Sequence, residues 1–103
     1  MAEVLKRSPN RCPTHPGALL RDVVLPAMPL KKTEFAAALG ISRQALYDLL
    51  AEKNPVSPLL AVKLGLLFEQ SPASWLNMQS AYDLWHAERK VDRTRIKPLK
   101  LAG

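Results

Sequence analysis

The sequence predicts an all-α fold of five short helices, and three observations carry that expectation. Strand signals are sparse along the chain. Nine prolines, together with well-placed serines, cut it into segments of helical length. Apolar residues also recur with helical spacing. In "GISRQALYDLL", Leu46, Leu49 and Leu50 fall on one side of a 3.6-residue turn, and Arg43, Gln44, Tyr47 and Asp48 on the other.

Each element follows in order. Residues 1–13 read as a loose arm. "HPGALLRDVVL" starts helix one with Pro16 in the first turn, where a missing N–H is harmless, and Pro26 and Pro29 end it. Helix two is expected over about Lys32 to Leu39, with Gly40 just past its end. Helix three runs from Arg43 to about Ala51, with Ser42 as its cap. Two Ser-Pro pairs, at Ser57-Pro58 and Ser71-Pro72, each read as a cap followed by a first helical residue. They open helix four (58 to about 69) and helix five (72 to about 89). "TRIKPLKL" is expected to be a short edge strand or mobile. The domain reading is an arm over 1–13, a helix-turn-helix domain over 14–89 that includes a C-terminal dimerisation helix, and a basic tail over 90–103.

The 103 residues suit one domain, and 48% apolar content supports a modest core. No stretch is long and apolar enough for a membrane span, and "MAEVLKRSPNRCP" lacks the apolar block of a signal peptide. The single cysteine, Cys12, excludes an internal disulfide framework, so a cytoplasmic protein is expected. The net charge of +6 is unevenly placed. Lys6, Arg7 and Arg11 against Glu3 leave +2 at the start, residues 14–88 carry −1, and six basic side chains against Asp92 leave +5 over 89–103. Such a tail suits nucleic acid, an acidic protein or plain solvation.

Helices two and three are joined by "GIS", the short glycine-containing turn of a helix-turn-helix. Ala36, Ala37 and Ala38 let the two helices approach, and Phe35, Leu39, Ile41, Leu46, Leu49 and Leu50 form a shared core. The polar row on helix three then has a use, since a helix fits the major groove and its N-terminal residues reach base edges. Arg43 can pair with guanine O6 and N7, and Gln44 with adenine N6 and N7. Tyr47 can meet a thymine methyl or a phosphate, and Asp48 can accept from cytosine N4. Ser42, Lys32, Thr33 and Lys53 sit where helix ends and the following loop would meet phosphates.

The segment "HPGALLRDVVLPAMPLKKTEFAAALGISRQALYDLL", followed by "VSPLLAVKLGLLFEQSPASWLNMQSAYDLW", resembles the HigA-type antitoxins of the Xre (λ-repressor-like) helix-turn-helix group. The resemblance covers about residues 14 to 89. It implies a five-helix, λ-repressor-like DNA-binding domain that dimerises. It also implies repression of the protein's own operon and neutralisation of a RelE-like mRNA endonuclease, HigB. No enzyme activity and no cofactor are expected. Two further readings stand beside it: a stand-alone or phage-type regulator without a toxin, and a protein-interaction module that has lost DNA binding. Lys31 stands where the family usually has a serine cap, and Gly65 within helix four is expected to cost about 1 kcal/mol against a better helix former.

Other constellations carry less. Cys12 and His15 form a "CxxH" pair with no second pair at zinc spacing, so no metal is expected. No Ser-His-Asp or paired-carboxylate arrangement is visible. His86 is expected to favour the negative end of helix five. Trp75, Met78, Tyr82 and Trp85 recur at coiled-coil spacing and either close the monomer core or form a two-fold dimer seam. Leu59 and Leu66 share a face of helix four. Either that helix is rolled so that both join the core, or they form a patch covered by a second protomer, a toxin or, preferably, the tail through Ile96 and Leu99.

Overall fold

The computed structural model describes residues 11–100. Its regular structure is helical throughout, with no strand among the described residues. Helix α1 (Pro16–Leu19) runs on through a π turn (Leu20–Val24) into a 3-10 turn (Leu25–Ala27). Pro26 has no N–H to continue an α-helical ladder, and its ring crowds the carbonyl of Asp22 four residues back. The ladder slips instead, and Leu25 N–H bonds Leu20 O five residues earlier.

The start of α1 follows from three consecutive residues. His15 is the cap, its Nδ1 accepting from Gly17 N–H at 2.8 Å. Pro16 takes the first helical position. Gly17 lies so close to α3 that a Cβ there would sit 1.8 Å from the carbonyl oxygen of Leu49.

Helix α2 (Lys32–Leu39) begins at Lys31, whose N–H bonds Glu34 Oε1 at 2.8 Å. A lysine side chain has no acceptor, so this capping box works in one direction only. The helix ends in a Schellman turn: Gly40 takes φ 69°, with Gly40 N–H on Ala37 O and Ile41 N–H on Ala36 O. Helix α3 (Arg43–Leu50) is capped by Ser42 Oγ, which accepts from Ala45 N–H at 3.0 Å. It ends in the same type of turn, but here Glu52 holds the left-handed position at φ 62°. Helices α4 (Pro58–Phe68) and α5 (Pro72–Lys90) start at Ser57 and Ser71 as expected, each hydroxyl accepting a backbone N–H. Past α5 there is a 3-10 turn, Arg93–Arg95, rather than a strand.

The core gathers Leu20, Phe35, Leu46, Leu49 and Leu64, all essentially closed to solvent. Each contributes about 1.5–3 kcal/mol by burial. α5 lies along α4, and its middle is pinned by Gln79, 5% exposed, whose Oε1 accepts from the buried N–H of Val56 at 2.8 Å. That bond ties the loop after the helix-turn-helix to α5.

Several expectations need correction. Of the three alanines on α2 only Ala36 is buried; Ala37 and Ala38 face outward, so a single small residue sets the approach. Gly65 is not a mere weakness. A Cβ there would lie 2.6 Å from Gln70 O, because the chain folds back tightly past α4 and Gln70 N–H bonds Gly65 O. Leu59 and Leu66 are 68% and 77% exposed, so α4 is not rolled to bury them. Nor does the tail cover them, since Ile96 and Leu99 are themselves exposed. Most of the expected arm (1–10) and the last three tail residues lie outside the described residues.

Candidate nucleic-acid interface

The Ser42 cap and the Gly40 turn fix where α3 starts, and its amphipathic pattern fixes its roll. Leu46, Leu49 and Leu50 point inward. Ser42, Arg43, Gln44 and Tyr47 are left exposed, with Asp48 half-buried. Two pairs of the expected site residues meet. Gln44 Nε2 donates to Asp48 Oδ1 at 2.9 Å, one turn along the helix. Lys32, from the first turn of α2, places its ammonium 5.6 Å from the centre of the Tyr47 ring, within cation–π range.

Thr33 is exposed beside Lys32. Lys53 is exposed too, but it lies in the turn at the far end of α3 from Arg43, its N–H bonded to Asp48 O. The structure therefore groups Lys32, Thr33, Ser42, Arg43, Gln44, Tyr47 and Asp48 and leaves Lys53 at the edge. Glu52, next to Lys53, is engaged by Arg21, whose Nη1 lies 3.2 Å from Glu52 Oε2 and 2.9 Å from Leu50 O. Arg21 also pairs with Asp22 at 2.8 Å, which holds the Asp22 carboxyl below its ordinary range. Lys63, from α4, reaches Gly40 O at 3.5 Å beside the turn. Nothing in its sequence context marked it.

The aromatic stripe of α5 divides. Trp75 is 4% exposed and ends an internal series in which its ring centre lies 6.1 Å from that of Phe68, itself 6.0 Å from Phe35. It belongs to the monomer core, not to a seam. Met78, Tyr82 and Trp85 are half-buried. Tyr82 meets the edge of His15 at 4.8 Å, and the Arg89 guanidinium lies 3.4 Å over Trp85. His86 sits between Tyr82 and Trp85, with Cys12 Sγ 3.6 Å from its Nε2, rather than acting on the helix end. Burial pushes the Tyr82 phenol up and the His15 imidazole down from their ordinary values. The sequence reading missed His15 and Gln79 as well as Lys63: His15 caps α1, and Gln79 ties a loop to α5. No cluster of three or more His, Cys, Asp or Glu suited to a metal occurs among the described residues. None of the described helices is long and apolar enough to cross a membrane.

Two short helices joined through Gly40, with the second presenting an exposed polar row, define a helix-turn-helix protein. The chain is 30% identical to the antitoxin HigA-1 of Vibrio cholerae over 95 residues, covering 90% of each chain. It belongs to the HigA-type antitoxins of the Xre helix-turn-helix group. A Pseudomonas aeruginosa antitoxin HigA solved with the higBA promoter superposes with a TM-score of 0.75 at 34% identity, over 85% of this chain and 99% of that one. The uncharacterised helix-turn-helix regulator YddM of Escherichia coli K12 is 34% identical over 84 residues, 82% of this chain and 88% of its own length. No family model matches the chain.

Proposed function

We propose that this protein is a cytoplasmic antitoxin that binds operator DNA as a dimer, represses its own operon, and neutralises a RelE/HigB-like mRNA endonuclease. It acts by binding and not by catalysis. The observation that carries the DNA-binding reading is the exposed row Ser42, Arg43, Gln44 and Tyr47 at the capped start of α3, with Lys32 alongside. Solved relatives with promoter DNA support the same reading. Arg43 and Gln44 read base edges, and Tyr47 meets a thymine methyl or a phosphate. Lys32, Thr33, Ser42 and Lys53 neutralise or bond phosphates.

The dimer forms through the half-exposed part of α5, with Met78, Tyr82 and Trp85 at its seam. Charged residues at Tyr82 and Trp85 should leave a folded monomer with weak operator affinity; a variant that still sediments as a dimer places the interface elsewhere. For DNA, footprinting on the region upstream of the gene is the test. Arg43→Ala should lose about 1–3 kcal/mol at one base pair. Lys32→Ala should weaken binding to every sequence and lower the salt slope by about one. A footprint unchanged by Arg43→Ala removes α3 from the groove.

The similarity to YddM favours one second reading, a regulator with no toxin. Co-expression with the product of the neighbouring gene separates the two: a stable complex that abolishes ribonuclease activity supports the antitoxin.

A further inference from the structure

We propose that Asp48 is a positioning residue for Gln44 and not itself a reader of a base. The inference rests on the DNA-reading role given to α3 above. Gln44 and Asp48 lie one turn apart on α3, and Gln44 Nε2 donates to Asp48 Oδ1 at 2.9 Å. An ionised carboxylate only accepts, so the nitrogen of the Gln44 amide must face it. Rotating the amide end for end would set two acceptors against each other. The order of the amide is thereby fixed, with Oε1 directed away from Asp48 and the second Nε2–H still free. One acceptor and one donor in fixed order are what adenine N6 and N7 require.

Asp48 itself is half-buried and sits a turn further from the helix N-terminus, the end that reaches base edges in this type of docking. Its hydrogen-bonding capacity is directed at Gln44, while its negative charge opposes phosphates of any sequence. The two consequences have opposite signs. Asp48 sharpens the choice of base and weakens sequence-independent binding, so the protein holds poorly to DNA that it does not read. A base-contacting Asp48 would instead carry a preference of its own, at a separate base pair. A merely solvated pair would move no base preference at all.

The experiment is selection from a pool of random-sequence duplexes by the parent, Gln44→Ala, Asp48→Ala and Asp48→Asn. It is paired with anisotropy titrations on a labelled random-sequence duplex, and circular dichroism checks that each variant is folded. Gln44→Ala identifies the base pair that Gln44 reads. Asp48→Ala should lose roughly tenfold of the preference at that same base pair, while binding the random duplex a few-fold more tightly. Asp48→Asn can donate as well as accept, so it no longer fixes the order of the Gln44 amide; it should lose most of the preference, as alanine does, and share the tighter random binding. The proposal is overturned if Asp48→Ala or Asp48→Asn leaves the preference intact, or if the preference lost lies at a different base pair. A parent that enriches no sequence overturns the DNA-reading role itself, and with it this inference.

Discussion

Gly17→Ala is predicted to destabilise the fold strongly, although helix propensity alone argues for a gain of up to about 1 kcal/mol. The added Cβ would lie 1.8 Å from the carbonyl oxygen of Leu49 and 2.9 Å from its carbon. Ordinary contact begins near 3.4 Å, so α1 and α3 must part by about 1.6 Å. Both colliding groups are backbone or fixed to it, so no rotamer change relieves them. A gap of 0.5–1 Å already forfeits roughly a quarter to a half of a dispersion contact. The residues on this seam include Leu20, at 0% exposure, and Leu49, at 1%. The expected loss is at the upper end of the overpacking range, about 3 kcal/mol. At about 4–8 °C per kcal/mol for a domain of this size, the melting temperature should fall by roughly 12–24 °C. Thermal and urea melts followed by circular dichroism read this directly. A variant as stable as the parent would refute the close approach of α1 to α3 and the role assigned to "HPG".

Three further outcomes follow from the same structure. Gln79→Leu strips the buried Val56 N–H of its acceptor and should cost about 1–3 kcal/mol in a urea melt, with a change under about 0.5 kcal/mol counting against the tie. Glu69→Gly places glycine at a φ of 53° and should stabilise by about 0.5–1 kcal/mol; an equal loss would mean that Glu69 is not strained. Burial holds the His15 pKa below its ordinary 6.5, so the unfolded chain takes up a proton that the folded one refuses. Stability should therefore be full above pH 6.5 and fall as the pH drops from there toward the lowered folded value. His15→Asn, which keeps a capping oxygen, should flatten melts taken from pH 7 to 5, and an unchanged slope would exonerate His15.

The helices were legible because their punctuation is local. Ser42, Ser57 and Ser71 cap, Pro58 and Pro72 start, and Gly40 stops, each through a bond or backbone angle within a few residues. The exposed row on α3 was legible because helical spacing alone separates Arg43 and Gln44 from Leu46 and Leu49. What spacing could not supply was contact between distant residues. Gly17 needs Leu49, Gln79 needs Val56, and Trp75 needs Phe68, each a partner on another segment. A stripe at heptad spacing on α5 fits a core as well as a seam, and only the position of α4 decides that Trp75 is core while Met78, Tyr82 and Trp85 keep some surface. Lys63 escaped notice for the same reason, since its partner, Gly40 O, lies in the turn between α2 and α3.

Charge counting misleads about this fold in a specific way. Residues 14–88 sum to −1, which argues against a polyanion partner. The acidic groups nearest the helix-turn-helix are nonetheless engaged within the protein. Glu34 bonds the N–H of Lys31, Asp48 accepts from Gln44, and Glu52 is held by Arg21. Arg21 is shared by Asp22 and Glu52, so that cluster keeps one net negative charge where the two carboxylates alone would carry two. Lys32, Arg43 and Lys53 form no ion pair among the described residues. Beyond a Debye length of about 8 Å in physiological salt the total charge is screened, so a docked phosphate responds to the nearest groups. Those groups are the exposed cations at the start of α2 and at both ends of α3, opposed locally by Asp48, and the near-neutral sum of the whole body is a poor guide to their balance.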